Sequence, residues 1–218
     1  MTYGTLCHKG FEGVTTVGLR ERKKEKTRLA IFDAALDLFL EQGYESTTVE
    51  QIAGAVEISP RTFFRYFTGK DHLVLLFHDQ AEELMLEVLA GLPPDEPPFA
   101  CLMRALRAVL ADVRAAAPEH ADRFMKLRRL LDEHPRLFGQ SVARGAETER
   151  HLAEAIAARR GVDPDRDQLT HLIVGFAMST MRVGFECSRQ DGTMEEVQER
   201  MAESIALAER SLRPGWDL

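Results

Sequence analysis

Arg61, Thr62, Arg65 and Tyr66 fall within six residues, Lys70 follows four further on, and no acid stands between Ile58 and Lys70. Guanidinium and ammonium groups hold phosphate oxygens, and a guanidinium also fits the major-groove edge of guanine. Hydroxyls donate to phosphate. The chemistry is recognition of a polyanion rather than bond making. A short helix with such an outer face suits a DNA major groove.

Two elements must position these groups. Thr47 or Thr48 is placed to cap a helix, with Glu50 or Gln51 closing a capping box. Val49, Ile52, Ala53 and Val56 then share one face. Ser59-Pro60 opens a second helix, Ser as N-cap and Pro in the first turn. Thr68 is placed to cap a third, with Asp71 three positions on. Upstream, Arg20 to Arg28 holds six bases and two acids and includes Lys24 and Thr27. Such a lead-in follows phosphates without reading bases. It runs into an amphipathic helix with Leu29, Phe32, Leu36 and Phe39 on one stripe, ended by Gly43.

This order of features resembles the TetR family of transcriptional regulators. The residues that carry the resemblance are the basic start, Leu38-Phe39 to Gly43, Thr47-Thr48, Ile52-Ala53, Ser59, and Tyr66-Phe67 to Lys70. They fall in family order at compatible spacing over about residues 20 to 75. The resemblance implies roles position by position. Thr48 contacts phosphate, Thr62 lies at the DNA surface, and Arg65 and Tyr66 project to the groove or its edge. Lys70 holds phosphate, while Phe63 and Phe67 pack beneath the helix with Ile58. The DNA-binding candidates are therefore Lys24, Thr27, Thr48, Arg61, Thr62, Phe64, Arg65, Tyr66 and Lys70.

Two positions depart from the family. Phe64 stands where a tyrosine hydroxyl commonly binds phosphate, so any contact there is apolar, to a sugar or thymine methyl. Glu57 stands where the turn often carries Gly, and a left-handed backbone there costs about 1 kcal/mol.

The net charge of −7 is unevenly spread. Residues 20–70 carry nine Lys or Arg against eight acids, residues 71–218 carry 18 against 26. The positive charge thus sits at the basic start and the second helix, and the acidic remainder discourages non-specific wrapping of DNA. Cys7, Cys101 and Cys187 have neither metal-site nor disulfide spacing, which implies a reducing, cytoplasmic setting. No apolar run is long enough to span a membrane, so no membrane partner is expected. Residues 1–19 read as a disordered tail, with a natural start near Val17 as the sharper alternative.

Period-two strands are absent, hydrophobic content is 44% and aromatic content only 7%, so the fold is read as all-α. The division expected is a helix-turn-helix domain over 20–67 and an effector-binding and dimerisation domain over 68–218. About nine helices are expected, among them a long fourth over 71–90, followed by 99–117, 118–133, 135–160, 165–189 and 194–212. Leu169 to Phe185 is apolar nearly all round and must be buried on more than one side. Gly175 and Gly184 allow another helix to approach. Val197, Met201, Ile205 and Ala208 form a stripe on the last helix. These two helices are the expected homodimer interface, with Leu172, Phe176, Met201 and Ile205 as its residues.

The family resemblance also implies an effector pocket in the C-terminal helices. Its candidate liners are Phe77, Met85, Met103, Phe124, Met125, His151, His171, Met178 and Phe185. The expectation is a small-molecule-responsive repressor that binds double-stranded operator DNA. The contrasting class, an enzyme, lacks its signatures: there is no H-E-x-x-H, Walker loop or G-x-G-x-x-G, and no metal or cofactor is expected. A helical ligand-sequestering or interaction protein without operator binding is the alternative.

Overall fold

The computed structural model describes residues 18–115, 118–188, 192–212 and 215–217. The expected tail up to Val17, the alternative start there, Cys7, and the expected helix ends at Ala117 and Arg189 lie outside the described residues. Among those residues there are ten α-helices and no strand. They are α1 (Leu19–Gln42), α2 (Val49–Ala55), α3 (Pro60–Phe63), α4 (Lys70–Val74), α5 (Leu76–Gly91), α6 (Pro98–Ala115), α7 (Pro118–Glu133), α8 (Pro135–Arg160), α9 (Gln168–Glu186) and α10 (Met194–Ser211). The all-α expectation holds. The extra helix arises because the long fourth helix is divided at Leu75, which sits at φ −95° and ψ −4° and bonds back to His72 O at 3.3 Å. That three-residue closure tightens the backbone and interrupts the α-helical ladder.

The helices group into two compact units. The first runs to His78 and also includes residues 118–142, so it extends beyond the expected boundary at residue 67. The physical reason is α7, which packs against α1. Leu127 and Leu130 join Ile31, Phe32, Leu36, Phe39, Ile52, Phe63, Phe67 and Leu73 in one buried core. Charge pairs line the α1–α7 seam: Arg123 Nη2 donates to Asp33 at 2.8 Å, and Lys126 Nζ to Asp37 at 2.9 Å. The second unit spans residues 79–115 and 143–217 of the described chain, and α10 packs against both α9 and α6 within it.

Local chemistry fixes the helix ends in the first unit. Thr48 is the cap chosen: its hydroxyl accepts from Gln51 N at 3.2 Å, and the Gln51 side chain accepts from Thr48 N at 2.8 Å. Thr47 is instead buried, its hydroxyl donating to Gly43 O at 2.9 Å. Ser59 caps α3, accepting from Thr62 N at 3.1 Å. Thr68 does not cap α4. That place falls to Gly69, whose extended backbone offers no side-chain acceptor, while Thr68 N donates to the His72 ring at 3.3 Å.

Between α2 and α3 the chain reverses through a paired closure. Ile58 N bonds Ala53 O at 2.9 Å and Glu57 N bonds Gly54 O at 3.1 Å. This is the Schellman arrangement, which places Glu57 in the left-handed region. Its φ is 55°, the sole positive value at a non-glycine among the described residues. Glu57→Gly therefore stabilises the chain, by about 0.5–1 kcal/mol once the greater freedom of glycine in the unfolded state is offset. Urea unfolding of the two proteins measures the difference.

In the second unit, Gly184 lets α9 meet the backbone of α10. A Cβ there would stand 2.7 Å from Met201 Cα and 3.1 Å from Met201 N. Backbone cannot yield as a flexible side chain does. Gly175, the other glycine expected to permit approach, has nothing within 4 Å of such a Cβ. Gly184→Ala should destabilise the protein by about 1–3 kcal/mol, while Gly175→Ala should not. Thermal unfolding of both variants checks this contrast.

Candidate nucleic-acid interface

The structure gathers the cationic candidates from two separate stretches of chain. Arg61 and Arg65 are exposed on and just beyond α3. The Arg65 guanidinium lies 5.2 Å from the centre of the Tyr66 ring, and its Nη2 donates to the Tyr66 hydroxyl at 3.3 Å. The Tyr66 oxygen is thus engaged as an acceptor. The Arg65 bond holds the phenol below its ordinary pKa, with Thr27 and Lys24 adding to the effect. Thr27 of α1 therefore reaches Tyr66, and the charge of Lys24 is near enough to act on that phenol, which their separation in sequence did not reveal. Thr48 is exposed at the start of α2, and Thr62 is half-exposed with its hydroxyl 2.9 Å from that of Ser59.

Phe64 is 56% exposed and lies edge-on to Phe63 at 5.5 Å. Phe63 and Phe67, by contrast, are buried. The four-residue spacing thus puts Phe63 and Phe67 inward and Phe64 outward, as an apolar group among cations.

Lys70 occupies a different setting. It is half-buried, and its ammonium donates to Tyr44 O at 2.7 Å and Thr47 O at 3.2 Å. It also stands 4.3 Å from the Tyr44 ring centre. Tyr44 in turn donates to Asp71. Lys70 thereby ties the start of α4 to the turn entering α2. A phosphate role at this position would be shared with that structural one.

The effector candidates divide between the two units. Phe77, Phe124 and Met125 belong to the first, where Phe77 packs edge-on against Phe32 at 5.7 Å and Phe124 at 5.5 Å. Met85, Met103 and Met178 are buried in the second, and Phe185 is half-buried there. His171 is exposed, donating to Pro164 O at 2.8 Å. A cavity of about 520 Å³ in this unit is a groove lined by Arg107, Leu110, Ala111, Arg114, Ala115 and Ala202, none of them a candidate from the sequence.

His151 belongs to a charged cluster across α5 and α8. Its Nδ1 donates to Glu82 Oε1 at 2.7 Å, while Arg144 Nη1 donates to Glu82 Oε2 at 2.7 Å and Arg144 Nε to Asp79 at 2.8 Å. Thr148 also donates to Glu82. Burial pushes the Glu82 carboxyl up, but these bonds outweigh it and bring its pKa down to about 2.

The interface candidates also separate. Leu172 and Phe176 are 54% and 44% exposed on α9, joined by Val183 and, on α10, Leu207. Ile205 is buried in its own chain, and Met201 is half-buried with its backbone against Gly184. Helical spacing put Ile205 on a stripe without saying which way the stripe faced.

A capped helix pair presenting Arg61, Arg65 and Tyr66, flanked by the basic start of α1, is the arrangement of a helix-turn-helix DNA-binding regulator. The family model for bacterial regulatory proteins of the tetR family matches residues 31–76, and that for the MftR C-terminal domain matches residues 96–213. The HTH-type transcriptional regulator TcmR of Streptomyces glaucescens is 44% identical over 168 residues, covering 76% of this chain and 74% of that protein. The HTH-type transcriptional regulator RutR of Escherichia coli is 32% identical over 97 residues, covering 44% and 46%. A crystal structure of Thermus thermophilus FadR, a TetR-family repressor in complex with lauroyl-CoA, is 20% identical with a TM-score of 0.42, covering 85% and 95%. The chain belongs to the TetR family of transcriptional regulators.

Two outcomes follow from the site geometry. Arg65→Ala should weaken binding to a mapped operator by about 1–3 kcal/mol with little loss of fold, whereas Lys70→Ala should lower folding stability by about 1 kcal/mol or more as well. Paired DNA titrations and unfolding curves separate the two effects. Glu82, depressed in the folded state, contributes stability that is fully present above its unfolded pKa near 4.5 and lost as pH falls toward 2. Glu82→Gln should cost about 3 kcal/mol at neutral pH and flatten the loss of stability between pH 4.5 and 2, read from unfolding midpoints across that range.

Proposed function

We propose that this regulator is a ligand-responsive repressor that binds an inverted-repeat operator as a homodimer in the cytoplasm. The observation that carries the reading is the pairing of Arg65 with Tyr66 beside Thr27 and Lys24 of α1, in the same compact unit as exposed Arg61. One such unit offers few phosphate contacts. Two copies related by a two-fold axis double them and select a palindromic site.

The second unit is the proposed sensor. Its buried Met85, Met103 and Met178 are unbranched and repack around a guest more readily than branched side chains. The reading is of a largely apolar effector with one acidic group. Binding worth about 1–3 kcal/mol of differential affinity would lower operator affinity by roughly 5–150-fold. The helix after Lys70 is interrupted at Leu75, so α4 and α5 do not form one continuous helix from Lys70 to Met85.

The test is titration of the protein onto DNA from its own upstream region at several salt concentrations, with and without candidate metabolites. Lys24, Arg61 and Arg65 from each of two copies would neutralise six phosphates, giving a log–log salt slope of about −5. A slope near zero overturns the electrostatic account. Ligand binding at saturation with operator affinity unchanged overturns the switch and favours the ligand-sequestering alternative.

A further inference from the structure

Residues 215–217 are built into the second unit. Asp217 is only 3% exposed, and its Oδ2 accepts from Phe99 N at 2.8 Å. Phe99 is the second residue of α6, a helix that begins at Pro98. The first amides of any helix lack partners within it, and Pro98 has no amide to satisfy. Asp217 therefore supplies, from 118 residues away in sequence, a capping carboxylate at the N-terminus of α6, where the helix dipole favours negative charge.

This anchor fixes Trp216, the single tryptophan of the chain. Its ring meets the edge of Phe99 and of Phe176, each at 5.4 Å. Phe176 remains 44% exposed with Trp216 against it, and Trp216 is itself half-exposed. The outer face of α9 thus carries Leu172, Phe176 and Val183, with Trp216 seated on Phe176 and Leu207 exposed on α10. In a chain of net charge −7, α9 holds one Arg and one Glu, and these pair with each other at 2.8 Å. Two acidic copies repel over most of their surfaces but not across this neutral one.

Resting on the homodimer reading above, we propose that Trp216 is an interface residue, packing with Phe176 against a second copy of this chain, and that Asp217 is the positioning residue that holds it there. Large aromatics that are fixed in place and half-buried before association dominate interface energies. The cap on α6 makes the position of Trp216 a property of the folded subunit rather than of association.

The test compares the full chain with Trp216→Ala, Asp217→Ala and Asp217→Asn by sedimentation over a dilution series, with tryptophan emission followed in parallel. Trp216→Ala should raise the dimer dissociation constant about tenfold or more. Asp217→Ala should do the same and shift Trp216 emission to the red, whereas Asp217→Asn, which retains an acceptor oxygen, should stay close to wild type. Wild-type emission should also shift to the red as dimer dissociates. If a dimer forms and Trp216→Ala leaves its dissociation constant within about twofold, the assignment of Trp216 is overturned while the dimer stands. A wild-type chain that remains monomeric at operator-binding concentrations overturns the dimer reading and this assignment with it. Should Asp217→Ala fail to fold by circular dichroism, Trp216→Ala and Trp216→Leu, which leave the cap intact, carry the same comparison.

Discussion

The direction of the recognition helix depends on a single left-handed residue. At Glu57 the backbone turns the chain out of α2, satisfies two carbonyls of that helix, and delivers Ser59 to the start of α3. Ser59 then caps α3, and Phe63 and Phe67 follow into the core beneath it. With those rings inward, Arg61, Phe64 and Arg65 have only the outside to occupy. The energetic strain at Glu57 is small beside the burial of two phenylalanines, each worth about 2 kcal/mol or more, so the turn persists without a glycine.

The same unit is stiffened from outside the motif. Lys70 holds the entry to α2 through backbone carbonyls, and α7 closes the core against α1 through Leu127 and Leu130. Charge pairs from Arg123 and Lys126 fix the register of that closure. Such support limits the ordering that the exposed side chains of α3 and its continuation would undergo on binding any partner. The second unit is organised by different means. Gly184 brings α9 onto α10, a half-buried charge cluster joins α5 to α8, and Asp217 closes the open end of α6.

The helix-turn-helix was legible in the sequence because its signals are local. The Thr48 and Ser59 caps, the proline in the first turn of α3 and the apolar spacing of Ile52, Ala53, Phe63 and Phe67 each act over three or four residues. The family resemblance marked Glu57 as standing at a turn position that often carries Gly, and its φ of 55° is left-handed. The acid-poor run from Ile58 to Lys70 pointed to a polyanion, since charge type needs no tertiary information.

What the sequence could not supply were relations between distant residues. Periodicity gave a stripe on α10 but not its facing, and Ile205 lies in its own core while Leu172 and Phe176 lie outside. Methionines and phenylalanines at helical spacing could not be sorted between the two units, because packing partners are chosen by the fold as a whole. The break at Leu75 left no proline or glycine as a mark. Nor did anything in the final three described residues announce that Asp217 would cap a helix 118 residues earlier. By itself the sequence determined the class of fold, the DNA-reading motif and the family, all written in short-range patterns. Only the tertiary structure decided which apolar faces close on themselves and which stay open, because burial is settled by long-range packing and not by any residue's neighbours in the chain.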